Sequence, residues 1–115
     1  MLKKDILRRK DDFTSVYKKG KSVGQKYIVL FYKKNNLPYN RIAFLASKKV
    51  GNSVERNRAR RLMKENYRFL KESIKTGYDI IFIARNTIKG KKAYDVEKSM
   101  RNALFKARLF KDKRK

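Results

Sequence analysis

At 115 residues, with 34 Lys or Arg against 10 Asp or Glu, the chain carries a formal net charge of +24, yet 41% of it is hydrophobic, including seven Phe and seven Tyr. That length suits one domain over residues 1–115, and the apolar content argues against wholesale disorder. The lack of cysteine and histidine excludes disulfides, thiolate metal sites and histidine acid–base chemistry, and with no signal-like or roughly 20-residue apolar run the expectation is a cytoplasmic protein.

Taken in chain order, the basic ends, about residues 1–8 and 111–115, read as flexible or ordered by a partner. In "DDFTSVYKKG", Asp11 or Asp12 can cap a short helix whose Phe13, Val16 and Tyr17 fall at i, i+3 and i+4, and Gly20 ends it. "GKSV" can add an edge strand. "KYIVLFYKK" and "YNRIAFLAS" are rich in β-branched and aromatic residues, with turn formers in the intervening "NNLP". The pair therefore reads as an antiparallel hairpin. Alternation sends Tyr27, Val29 and Phe31 to one face of the first strand and Ile28, Leu30 and Tyr32 to the other.

The segment "GNSVERNRARRLMKENYR" is long enough for a helix and "YDIIFIAR" follows it as a strand. Every position from Ile80 to Ala84 is apolar, which predicts a mid-sheet strand buried on both faces. "YDVEKSMRNALFKARLF" gives a last helix, with Val96, Met100, Ala103, Leu104 and Ala107 in one stripe. The expected fold is an α+β single-domain sandwich, three helices against a mostly antiparallel four-stranded sheet in the order α-β-β-β-α-β-α.

The middle helix carries most of the functional signal. Gly51 can break the incoming strand, and Asn52 with Glu55 fits a capping box. Ala59, Leu62, Met63, Phe69 and Leu70 gather on the side expected to face the sheet. Asn57, Arg61, Lys64 and Arg68 form a stripe on the opposite side, flanked by Arg60 and Lys71. Surface helices show charge to water, but they normally mix signs, because like charges at i, i+4 cost a few tenths of a kcal/mol per pair. Lys48, Lys49, Arg56 and Arg58 also crowd the positive end of the helix dipole. A polyanion relieves both costs, and nucleic acid adds the release of its condensed counterions. Five of the residues between 56 and 68 are Arg, whose planar fork suits paired phosphate oxygens.

The stretch "SKKVGNSVERNRARRLMKENYR" resembles the signature of the bacterial ribonuclease P protein subunit: Lys-Lys, Gly-Asn, then Arg-Asn-Arg and spaced basic residues on a helix. "DDFTSVYKKG" and "YDIIFIAR" resemble the family's first helix and last strand. Arg60 stands where the family often has Lys, Lys64 where it often has Arg, and Tyr17 where a Phe is frequent. The resemblance implies the protein subunit of an endoribonuclease, a cofactor of a catalytic RNA that removes the 5′ leader of precursor tRNA by magnesium-dependent hydrolysis. It implies a left-handed βαβ crossover, and partnership with the catalytic RNA and precursor tRNA, as a monomer in a 1:1 complex with that RNA. Lys48, Lys49, Asn52, Arg56, Asn57, Arg58, Arg60, Arg61, Lys64 and Arg68 are the positions it assigns to the catalytic RNA.

Aromatic residues suggest a second surface. Both faces of the strand at 27–32 are apolar, but only two long helices are available to cover the sheet, so part of one face can stay open beside the short first helix. Unstacked bases gain on the order of 1–3 kcal/mol each by stacking on exposed rings in such a place; ordinary core packing accounts for the same rings. The resemblance assigns Phe13, Tyr17, Val29, Phe31 and Arg85 to the substrate's leader. No catalytic residue or metal ligand is expected in the chain, and no cofactor bound by the protein alone; magnesium belongs to the holoenzyme. Asp11 and Asp12 are explained by capping, and the other acids lack two-metal spacing. The alternative function is a non-catalytic structural RNA binder, such as a ribosomal protein or RNA chaperone.

Overall fold

The computed structural model describes residues 2–112. Its main elements are α1 (Lys10–Lys19), β1 (Lys21–Gly24), β2 (Ile28–Lys34), β3 (Arg41–Ala46), α2 (Ser53–Leu70), β4 (Tyr78–Ala84) and α3 (Ala93–Lys106). They follow the order expected from the sequence. The strands form one mixed sheet in the order β1-β2-β4-β3, antiparallel at β1–β2 and β2–β4 and parallel at β3–β4.

The expected hairpin between the second and third strands does not form, because β4 lies between them. β4 is the most apolar strand, with Ile80, Ile81 and Phe82 all fully buried. The centre of the sheet pairs both of its edges and covers both of its faces, so the strand with most to bury gains most there. Side chains hold the loop that makes the detour. Arg41 donates from Nε and Nη2 to the two carboxylate oxygens of Asp79, each at 2.8 Å, while Asn35 Nδ2 donates to Asp79 Oδ1 at 2.9 Å. Asn40 Oδ1 accepts from the Tyr78 backbone at 2.8 Å. These bonds align the starts of β3 and β4, whose parallel pairing is joined through α2.

One face of the sheet, with Ile28, Leu30, Ile80 and Phe82, packs on α2 and α3. The other carries a smaller core of Leu7, Val16, Ala43 and Ile81 beneath α1. α3 buries the predicted Val96, Met100, Ala103 and Leu104, and Ala107 packs half-buried at its end. In α2 the packed residues are Ala59, Met63, Asn66, Tyr67 and Leu70, with Leu62 at the margin. Phe69, expected on this face, is 82% exposed; at 3.6 residues per turn it projects roughly 100° from the middle of the buried stripe. Asn66 takes an interior place because its Nδ2 donates to the Ala93 carbonyl at 3.1 Å, tying α2 to α3.

Two local expectations also change. Arg9, not Asp11 or Asp12, occupies the N-cap of α1; both acids lie in its first turn, and Asp12 meets Arg41 Nη1 at 3.3 Å. Tyr27 precedes β2, and its ring packs on the α3 side near Lys26 and Lys91, apart from Val29 and Phe31. The N-terminal stretch lies along β3: Ile6 bridges to Ile42, and Leu7, 3% exposed, donates its N–H to the Ile42 carbonyl at 2.9 Å. At the other end Lys111 N donates to Ser73 O at 2.8 Å, and residues 113–115 of that predicted flexible tail lie outside the described residues.

Candidate nucleic-acid interface

The basic surface begins where β3 ends. Ser47 opens a single turn, Lys48–Val50, that leads through Gly51 into α2. Gly51 has φ 146°, and a Cβ there would lie 1.9 Å from Glu55 Oε1. Only glycine lets the chain turn this tightly against the helix. The predicted capping box is present: Asn52 Oδ1 accepts from Glu55 N, and Glu55 Oε1 accepts from Asn52 N, both at 2.9 Å. Glu55 also meets Lys89 at 3.2 Å. The bond from the Asn52 backbone, then that from Lys89, holds its carboxyl below the usual glutamate range.

The ten residues assigned to RNA from sequence lie along this turn and α2, and fall into two classes. Lys48, Lys49, Asn52, Asn57, Arg61, Lys64 and Arg68 are exposed, whereas Arg56, Arg58 and Arg60 are half-buried. Arg58 Nη2 donates to the Lys91 carbonyl at 2.6 Å and so clamps the loop before α3. Arg60 donates to Asn57 Oδ1. Arg56 Nη2 reaches Ser53 Oγ at 3.2 Å, while its Nε is buried without a hydrogen-bond partner. The stripe is also less bare of acid than expected, since Glu65 meets Arg68 at 3.1 Å.

The second surface follows from sheet register. Across the α1 face, one row runs Ser22, Phe31, Ile81, Ala43, and the next runs Gly24, Val29, Ile83, Leu45. Val16 of α1 covers the first row, where Ile81 and Ala43 are buried. In the second row Val29, Ile83 and Leu45 are only half-buried, and a Cβ at Gly24 would meet nothing within 4 Å. α1 is simply too short to reach it. Beside this open row stand the predicted rings: Phe13 and Tyr17 have centroids 6.4 Å apart, and Tyr17 meets Phe31 edge-on at 5.1 Å. Tyr17 is 42% exposed, and its partial burial raises its hydroxyl pKa above the ordinary value.

Arg85 follows Ile83 by two residues, at the end of β4. Its N–H donates to Tyr27 O at 2.9 Å and its Nη1 to Gln25 O at 3.0 Å. The turn after it, Asn86–Ile88, packs on the Lys48–Val50 turn, so basic surface and aromatic cleft adjoin at the carboxyl ends of β3 and β4. Leu45, Ile83 and Gly24 belong to the cleft but were not singled out from sequence. Strand alternation puts Ile83 with Ile81 and Arg85, but only the β2–β4 pairing sets it beside Val29.

Among the described residues, no group of three His, Cys, Asp or Glu side chains is placed to hold a metal ion. Asp12 and Asp79 are both engaged by Arg41. Among the same residues, no helix is long and apolar enough to cross a membrane.

A family model described as Ribonuclease P matches residues 1–108. The Ribonuclease P protein component of Thermoanaerobacter sp. (strain X514) is 43% identical over 104 residues, 90% of either chain. Its counterpart from Clostridioides difficile is 48% identical over 97 residues, covering 84% of this chain and 85% of its own. Among solved structures, a Staphylococcus aureus RNase P protein mutant with defective mRNA degradation activity superposes with a TM-score of 0.87 at 33% identity, covering 94% of this chain and 92% of that one. The RNase P protein from Thermotoga maritima gives 0.77 at 30% identity, covering 84% of this chain and 92% of that one. A chain matched over nearly its whole length by the family model, and sharing the fold of these proteins, belongs to the Ribonuclease P protein family.

Proposed function

We propose that this chain is the protein cofactor of a ribonuclease P ribonucleoprotein, binding the catalytic RNA and precursor tRNA to promote removal of the 5′ leader. The observation that carries the reading is the adjoining pair of surfaces, one basic and helical, the other an aromatic cleft left open because α1 covers only one of two apolar rows. Arg61, Lys64 and Arg68, with Lys48 and Lys49 at the turn, face the phosphates of the catalytic RNA. Asn52 contributes through its amide nitrogen, since its oxygen caps the helix. Arg58 acts mainly by fixing the helix to the α3 loop. Arg56 Nε, buried and unpartnered, gains a partner if the guanidinium swings toward a phosphate.

The leader lies as single strand along Phe13, Tyr17, Phe31 and Val29, its bases against rings and its backbone near Arg85. The complex is one protein to one RNA. Magnesium is held by the RNA and supplies the charge stabilisation of phosphodiester hydrolysis; the protein lowers repulsion between RNA strands and grips the substrate. A purely structural RNA binder would share the basic helix and can also stack bases on such a row, but it would show no preference for precursor over mature tRNA. In a reconstitution with a bacterial ribonuclease P RNA, the protein raises precursor tRNA cleavage at low magnesium. Cleavage no faster than with RNA alone refutes this function.

A further inference from the structure

At the other end of the sheet the chain builds a basic groove with no part in the surfaces above. It encloses about 570 Å³. Lys19, Lys21, Lys33, Lys34, Lys75 and Arg108 line it, and among the described residues no carboxylate does. These six cations come from the end of α1, the start of β1, the end of β2, the approach to β4 and the residue beyond α3's last turn. Solvated lysines on separate elements diverge to limit their repulsion; here folding brings them together at a cost in self-repulsion. Tyr32 and Tyr78 form the groove's aromatic part, with ring centroids 6.4 Å apart.

Two backbone features hold the groove in shape. At Gly20 a Cβ would lie 2.4 Å from the Tyr32 carbonyl oxygen and 2.5 Å from that of Val16. The missing side chain is what lets α1 end against β2 and sets Lys19 and Lys21 beside Lys33. Arg108 adopts φ 60° just after α3, a left-handed position where glycine is usual because it escapes the Cβ clash. An arginine there accepts strain to place a guanidinium at the groove.

We propose that this groove is a further RNA site, taking the phosphate backbone of one strand while a base or ribose rests on Tyr32 and Tyr78. β2 pairs Ile28 with Ala84 at the cleft end and Lys34 with Tyr78 at the groove end. Six residues of strand therefore separate them by roughly 20 Å. The protein thus grips RNA at both ends of its sheet. The strand comes either from the catalytic RNA or from the distal part of a long leader. An anionic membrane fits less well, because beyond the two Tyr rings and the small Ala107 the groove presents no apolar side chain to insert. Only the choice of RNA rests on the ribonuclease P reading.

The test compares the wild type with Lys34→Gln/Lys75→Gln/Arg108→Gln and with a control of equal charge, Lys3→Gln/Lys98→Gln/Lys106→Gln, folding being checked by circular dichroism. Affinities for ribonuclease P RNA, for precursor tRNAs with short and long leaders on the reconstituted complex, for a mixed-sequence single-stranded RNA oligonucleotide and for phosphatidylserine vesicles are measured across salt. The groove variant should bind about tenfold more weakly to its target, with a log–log salt slope flatter by about 2 for three lost contacts. The control should change less than threefold. A loss on catalytic RNA alone assigns the groove to that RNA, and a loss confined to long leaders assigns it to the substrate. Should wild type fail to bind the catalytic RNA, the ribonuclease P reading fails and the oligonucleotide decides on the groove alone. Arg108→Gly adds a stability-independent check, with a melting temperature no lower than wild type but weaker RNA binding. Equal losses in groove and control variants, no loss in either, or loss only on phosphatidylserine vesicles overturns the proposal.

Discussion

Tyr17 of α1 meets Phe31 of β2 edge to face, with ring centroids 5.1 Å apart, and the contact joins a short helix to the rim of an apolar row that it cannot cover. Removing one ring from this pair should weaken the grip on the leader rather than unfold the protein, because Tyr17 is 42% exposed. Loss of one stacked base, on the order of 1–3 kcal/mol, corresponds to roughly 5- to 150-fold. Tyr17→Ala should therefore lower the affinity of the reconstituted complex for precursor tRNA within that range, measured by equilibrium binding, while Tyr17→Phe keeps most of it. A Tyr17→Ala variant that only melts earlier would return the ring to a packing role.

On the basic helix, Arg61→Ala with Lys64→Ala should weaken binding to the catalytic RNA. The slope of log affinity against log salt should flatten by about 1.4–1.8 for two lost phosphate contacts. Neither side chain is buried, so the melting temperature should change little. Arg58→Ala should behave differently: its guanidinium holds the Lys91 carbonyl, and its loss should lower thermal stability as well as RNA affinity.

Arg41 and Asp79 test the path of the chain. The Asp79 side chain is 6% exposed and Arg41's 23%, and removing one partner of a buried pair costs about 3–5 kcal/mol. Asn35 still donates to Asp79, so Arg41→Ala should fall near 3 kcal/mol in denaturant unfolding. A loss under 1 kcal/mol would show that apolar pairing alone fixes the order of β3 and β4.

Glu55 gives a pH dependence of known sign. Its carboxyl is held below its ordinary pKa of 4.5 by the Asn52 backbone and Lys89, so it contributes stability above that value and loses it as the pH falls through the lower folded pKa. Melting temperatures followed below about pH 4.5 should drop less steeply for Glu55→Gln than for wild type. Parallel acid limbs in the two proteins would show that the box carries no linked proton.

What the sequence made legible was mostly local. The box at Asn52 and Glu55 needs residues three apart, and the stripe of α3 needs one helical period, so both could be read directly and both are present. Strand pairing is not local. Asn35 to Asn40 hold turn formers that suit a hairpin, yet the loop leads β3 past the slot that β4 later fills, and the Arg41–Asp79 bonds that align the two strands span 38 residues. The same distance effect hid Ile83 and Leu45 from the cleft. Phe69 shows the limit of hydrophobicity as a guide, since Asn66 is buried through a single hydrogen bond while that ring stays in water.

The separation of the two surfaces is tested most directly by photo-crosslinking in the reconstituted complex, with a benzophenone side chain placed at position 17 or position 64. Position 17 should crosslink to leader nucleotides of precursor tRNA and lose its product with mature tRNA, whereas position 64 should crosslink to the catalytic RNA with either substrate. Crosslinks from position 17 to the catalytic RNA alone, unchanged when the leader is removed, would contradict the account.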